Sequence, residues 1–213
     1  MSATVRLRHS PPTRPVALAA LAAAGLVLLL GPAAAPGPRC PADMTPVPGL
    51  AGCIDRVEAS VDKGRARARR GALPATNVTA AEAQAACQAG GKRLCRDDEW
   101  LAACRGEKRQ WHFPYGEQYE PERCFGWERS QRQKAKGPTK TGTHPRCTTP
   151  EGILALSGNA WEWVDRGAGQ PAWLRGGGYG NAFMDMACTA RERPLPDYRS
   201  CAAGFRCCVD LAR

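Results

Sequence analysis

Histidine is nearly missing from this chain. Of 213 residues, only His9, His112 and His144 carry an imidazole. They stand far apart, which argues against a histidine-rich iron site, and neither an HExxH helix nor a Ser-His-Asp set can be assembled from them. No two cysteines form a C-x-x-C pair, so the usual spacing of a zinc site is absent too. No phosphate-cradling glycine loop occurs. The one long apolar run, Val16 to Leu30, is fifteen residues, short of the ~20 that a membrane-spanning helix needs. The basic stretches Lys63–Arg70 and Arg129–Lys140 contain no aromatic residue. Nucleic-acid grooves interleave the two, so both stretches are expected to be solvated loops and no nucleic-acid partner is expected.

What the chain does have points outward. Arg6, Arg8 and Arg14 precede the apolar run, and Gly31-Pro32-Ala33-Ala34-Ala35-Pro36 follows it. A basic start, an apolar core and small residues form an export leader. Residues 1–37 are therefore expected to be a signal peptide, or a signal anchor in contact with the membrane if it is not cut. Residues 38–213 are long enough for one domain with a core. All 11 cysteines lie there, at a density typical of oxidising compartments. They allow up to five bridges, with one thiol over and the connectivity open. The net charge of +10 falls to +7 without the three leader arginines. Outside the cell, that excess favours loose attraction to anionic glycans or lipid surfaces.

Few long elements are expected. Thr79-Ala80-Ala81-Glu82 has the form of a capping box, which predicts a helix over 80–89 ended by Gly90-Gly91. Asp97, Asp98 and Glu99 suit the positive end of a second helix over 97–105, with Trp100, Leu101 and Cys104 at helical spacing. Beyond Gly106 the text is glycine, proline, tryptophan and cysteine, with short strands or turns near Leu174, Gly176–Tyr179 and Phe205–Val209. Asn77-Val78-Thr79 matches the glycosylation pattern, but Thr79 is better used as the helix cap.

Two segments are more specific. One runs Gly91-Lys92-Arg93-Leu94-Cys95 through Asp98-Glu99-Trp100 to Ala102-Ala103-Cys104-Arg105-Gly106. The other is Leu156-Ser157-Gly158-Asn159-Ala160-Trp161-Glu162-Trp163. With Pro114-Tyr115-Gly116, Leu174-Arg175-Gly176-Gly177-Gly178-Tyr179 and Gly204-Phe205-Arg206-Cys207, these resemble, in order and spacing, the formylglycine-generating enzyme family of sulfatase-modifying factor domains. Residues about 44–58 look like that family's opening strands. The resemblance implies an α+β, C-type-lectin-like fold with two short helices, short strands and many loops, here stapled by disulfides drawn from Cys40, Cys53, Cys87, Cys95, Cys104, Cys124, Cys147, Cys188, Cys207 and Cys208. Cys201, inserted in the tail, is either the odd thiol or a link between chains.

The resemblance also bears on chemistry. Catalytic members oxidise a substrate cysteine with Cu(I) held by two cysteines. The matching positions here are Asn181 and Met186, and the nearest thiol is Cys188. Copper is therefore not expected in the family's manner, although Met184, Met186 and Cys188 would share one side of a strand and thioethers do accept Cu(I). Members often bind calcium at the second segment, which implies Gly158, Ala160 and Glu162 as ligands. The polar residue three positions before the glycine is Ala155, and an asparagine of a second calcium site aligns near Phe125. Without a cation, Glu162 would pair with an arginine. The expectation is an exported, non-catalytic module that binds a protein or glycan, or serves structurally. The alternative is a formylglycine-generating-type oxidoreductase with displaced metal ligands.

Overall fold

A computed structural model describes residues 39–211. The expected leader, residues 1–37, lies outside the described residues. No helix among the described residues is long and apolar enough to cross a membrane.

The two ends of the domain meet in one sheet. Strands β1 (Met44–Pro46) and β2 (Gly52–Asp55) form a hairpin near the start. The last strand of the domain, Cys207–Asp210, pairs antiparallel with β2, placing Cys208 opposite Ile54, and also with the short strand Arg93–Leu94. A separate hairpin joins β3 (Ser60–Asp62) to β4 (Arg65–Arg67). This corrects the expected loop over 63–70. The run Arg65-Ala66-Arg67 has the two-residue period of a strand, with Ala66 buried and both arginines exposed.

Helix α1 (Ala80–Ala89) is capped reciprocally: the Glu82 backbone N–H donates to Thr79 Oγ1 (3.2 Å) and the Thr79 N–H to Glu82 Oε2 (2.9 Å). Its buried face is Ala83, Ala86 and Cys87, small enough for close packing on β4. A Cβ on Gly90 would lie 2.9 Å from the Ala66 carbonyl. Strand β5 (Arg93–Leu94) leads into α2 (Asp97–Arg105), which buries Glu99, Trp100, Ala103 and Cys104. Leu101 is only partly buried. Glu99 is tolerated in the core because Arg93 and Arg96 donate to it at 2.6–2.7 Å.

Helix α3 (Trp127–Arg132) was not expected. It takes up the start of the basic run 129–140, where Arg129 and Arg132 pair with Glu122. A second sheet follows: β6 (Trp161–Val164), β7 (Trp173–Arg175), β8 (Arg191–Glu192) and β9 (Ala203–Phe205), in the order β8-β7-β6-β9. β6 pairs antiparallel with β7 and parallel with β9. The strand at Cys207–Asp210 is β10. A 3-10 turn occupies Phe183–Met186.

Five disulfides close the loops between these elements: Cys40–Cys53, Cys87–Cys207, Cys95–Cys208, Cys104–Cys188 and Cys124–Cys147. The adjacent Cys207 and Cys208 point to opposite faces of β10, so one reaches α1 and the other the end of β5. Cys201 is free and exposed.

Candidate functional site

β6 sorts its side chains by the strand alternation. Trp161 and Trp163 share one face, where their indole N–H groups donate to Asn181 Oδ1 and the Val78 carbonyl, both at 2.9 Å. Glu162 faces the other way, into the core. Its Oε1 accepts from Arg206 Nη2, and its Oε2 accepts from Arg206 Nε and Trp100 Nε1, each at 2.6 Å. Arg206 also donates to the Asp55 and Leu154 carbonyls at 3.0 and 2.9 Å. Glu162 and Arg206 are 1% and 0% exposed, so every charged atom must be met inside the protein. Burial opposes the charge on Arg206, but Glu162, Glu58 and Asp55 around it outweigh burial and raise its pKa.

Glu58 completes this network imperfectly. Its Oε1 accepts from Asn159 Nδ2 at 2.6 Å, while Oε2, equally buried, has no partner. Burial pushes its carboxyl up to about 7; Arg206 lowers it and the Glu162 charge raises it. Gly158 and Asn159 turn the chain here with φ of 73° and 63°, as the sequence leads one to expect.

The calcium set implied by the resemblance, Gly158, Ala160 and Glu162, does not fit this arrangement. Both oxygens of Glu162 are engaged by Arg206 and Trp100, and a calcium ion there would face a guanidinium at hydrogen-bond distance. The side chain at position 155 is only a methyl group, and Phe125 carries no oxygen on its side chain. Among the described residues, no three His, Cys, Asp or Glu side chains converge as a metal site.

The copper positions are equally committed. Asn181 Oδ1 accepts from Trp161 Nε1 and from the Gly178 N–H (3.0 Å), and its carbonyl accepts from the Trp127 N–H (2.7 Å). It holds the glycine turn after β7 against β6. Met186 is 1% exposed and fills the space between Gly126 and Gly158. A Cβ on Gly126 would collide with its sulfur, and one on Gly158 would lie 2.8 Å from its methyl. Tyr119 Oη lies 3.8 Å from the same sulfur and donates to Glu128 at 2.8 Å. Met184, Met186 and Cys188 do not form the stripe considered above. The segment is a 3-10 turn, Met184 is 53% exposed, and Cys188 is bonded to Cys104. Neither remaining histidine joins them. His112 Nδ1 meets Glu117 at 2.8 Å on the surface. His144 stacks on Phe125 at 5.1 Å, where burial and the nearby Arg129 hold its pKa down to about 4.

Sequence reasoning found Glu162 and the 181/186 positions but not what surrounds them. Arg206 was visible inside the Gly-Phe-Arg-Cys block, five residues after Cys201, yet nothing local marks it as the partner of Glu162. Its parallel strand pairing does, through Glu162 opposite Gly204.

The fold and site define a short-stranded α+β domain of the C-type-lectin-like class, built on a buried Glu-Arg pair and stapled by disulfides. The sulfatase-modifying factor enzyme 1-like domain matches residues 49–211, and the chain belongs to that family. It is 30% identical over 156 residues to the inactive C-alpha-formylglycine-generating enzyme 2 of Mus musculus, covering 66% of this chain and 50% of that protein. It is 28% identical over 167 residues to the formylglycine-generating enzyme of Mus musculus, covering 64% and 44%. The chain thus spans about half the length of the curated relatives it matches. Among solved structures, PvdO from Pseudomonas aeruginosa superposes with a TM-score of 0.59 at 16% identity, over 75% of this chain and 80% of that one. At that identity the likeness shows the fold alone.

Proposed function

We propose that this chain is an exported, non-catalytic member of its family, acting as a binding or structural module outside the cytoplasm. The observation that carries this reading is the commitment of the two copper positions. Asn181 has no thiolate and is spent on Trp161 and Gly178. Met186 offers a thioether sealed under Gly126 and Gly158. The nearest cysteine in sequence, Cys188, is consumed in a disulfide, and the free thiol Cys201, 3.5 Å from Tyr179 Oη, stands alone on the surface. Cu(I) needs a set of soft ligands that can reach it together, and one thiol is not such a set. The similarity to a relative named inactive supports the same reading. Five disulfides, together with the leader expected over residues 1–37, support export. Calcium at Glu162 is not part of the proposal, because Arg206 supplies the positive charge there.

The test is metal analysis of the purified mature protein, Cu(I) titration, and oxygen uptake with a cysteine-containing peptide. Less than a tenth of an equivalent of copper and no peptide-dependent oxygen uptake are expected. Stoichiometric Cu(I) with peptide-dependent uptake overturns the proposal in favour of an oxidoreductase with displaced ligands.

A further inference from the structure

Four arginines surround one tryptophan on the second sheet. The Cζ of Arg166 lies 3.7 Å from the ring centre of Trp173, those of Arg191 and Arg193 both at 4.9 Å, and that of Arg175 at 5.4 Å. Strand geometry assembles the group. Trp173 and Arg175 project from one face of β7, and Arg191 on β8 stands directly opposite Arg175. Arg193, two residues on, falls on the same face, and Arg166 follows β6 by two residues.

This arrangement holds more positive charge than the protein answers. Arg175 is neutralised, donating through Nε and Nη2 to both oxygens of Asp97 at 2.6 and 2.8 Å. Arg166, Arg191 and Arg193 have no acidic partner within salt-bridge distance among the described residues. All three lie within 5 Å of one ring centre, so no two of these carbons are more than about 10 Å apart, comparable with the Debye length at about 0.1 M salt. An indole has two faces, and its quadrupole cannot balance three free guanidiniums. Like charges placed opposite each other across a strand pair are destabilising. β8 is also the sheet's edge, so the cluster faces outward, with Arg191 and Arg193 exposed.

We infer that this cluster is a binding site for an anionic polysaccharide, whose carboxylate or sulfate groups pair with Arg166, Arg191 and Arg193. Guanidinium forks suit such groups bidentately. Trp173 is only 7% exposed, so it serves as the floor that spaces the arginines and offers no platform for stacking a nucleobase. Choosing a polysaccharide over a cytoplasmic polyanion rests on the proposed export. The site lies on β7 and β8 and does not depend on whether the 181/186 positions hold copper.

The experiment measures binding of six-sugar oligouronate and sulfated glycosaminoglycan probes to the full mature protein by calorimetry at 50 mM salt. It compares R166S/R191S/R193S with R65S/R67S/R69S, which removes the same charge from the exposed side of the β3–β4 region. Unchanged melting temperatures check that both variants fold. Binding of either probe by the native protein, weakened at least tenfold in the first variant and less than twofold in the second, is the expected result. Equal weakening in both variants overturns the inference, because attraction would then be diffuse. Absence of binding to both probes also overturns it, leaving the arginines as guards of an open sheet edge. Capture by anionic lipid vesicles with no response to the oligosaccharides overturns it in favour of a membrane surface.

Discussion

Replacing Arg206 with methionine tests the reading of the core most directly. The substitution keeps an unbranched apolar stem and removes the guanidinium with its charge. Glu162 then loses both hydrogen bonds from the guanidinium, the Asp55 and Leu154 carbonyls lose their side-chain donor, and Glu58 loses its nearby positive charge. Removing one partner of a buried, hydrogen-bonded pair costs about 3–5 kcal/mol. For a domain of this size each kcal/mol moves Tm by about 2–4 °C, so a fall of roughly 6–20 °C is expected. R206M/E162Q should recover at least about 1.5 kcal/mol relative to R206M, because no unpaired charge remains at position 162 while Trp100 keeps an acceptor. The deficit of R206M should also shrink as pH falls. Glu58, held up by burial and lowered by the Arg206 charge, rises further when that charge is removed and stays protonated in the folded state over a wider range, so acid favours folding. The assay is urea denaturation without reductant at pH 7.5 and pH 5.5. A deficit under about 1 kcal/mol, or a double variant no better than R206M, would refute the claim that this pair organises the core.

Four other outcomes follow from the same structure. Glu58, with its folded pKa raised to about 7 from 4.5 mainly by burial, contributes stability that is present below pH 4.5 and lost as pH rises to about 7. E58Q should therefore stabilise the protein by roughly 2–3 kcal/mol at pH 8 and by little at pH 4.5, as read by urea midpoints at the two pH values. Calcium at 5 mM or excess chelator should shift Tm by less than about 1 °C, since Glu162 is neutralised from within; a calcium-dependent rise of several degrees would restore calcium to that carboxylate. The native protein should take up one maleimide per chain without unfolding, and C201S none, because Cys201 alone is free and exposed. Cys87–Cys207 and Cys95–Cys208 close nearly the same long loop, with sequence separations of 120 and 113. Once one is made, the other closes only a small ring. Chain-entropy arithmetic gives about 2.5 kcal/mol for losing either alone and about 7 for losing both, so a double loss no larger than the sum of the two single losses would contradict this connectivity.

Much of the frame is legible in the sequence because local chemistry writes it. Thr79 and Glu82 specify the start of α1 wherever it packs, and Gly90 its end. The acidic first turn of α2 does the same, and both helices begin and end where expected. The two sheets are less visible. Their strands run two to four residues, too short for an alternation to stand out, and β6 and β9 become neighbours only through a parallel pairing some forty residues apart in sequence. The disulfides follow from that packing and could not be assigned before it. Glu162 was marked as a carboxylate in want of a cation. Sequence supplied the candidates, calcium or an arginine, and only the β6–β9 register and the strand that follows bring Arg206 beneath it.

Charge shows most sharply how sequence runs differ from surfaces in space. The two conspicuous basic stretches do not make the densest cluster. In the first, Ala66 turns inward and the arginines spread along an exposed hairpin. In the second, Arg129 and Arg132 are taken up by Glu122. The unanswered charge gathers instead from Arg166, Arg191 and Arg193, each unremarkable in its own neighbourhood. The usable signal is a pair of patterns: Trp173-Leu174-Arg175 on one strand, and Arg191-Glu192-Arg193, which begins on the next and ends one residue past it, each with its basic or aromatic residues two apart. Antiparallel pairing lays one pattern against the other and puts every one of those side chains on one face, while Leu174 and Glu192 turn to the opposite face. A sheet needs no such concentration of like charge to be stable, and the protein neutralises only Arg175, so the remaining three are where a ligand's negative charge would be felt most.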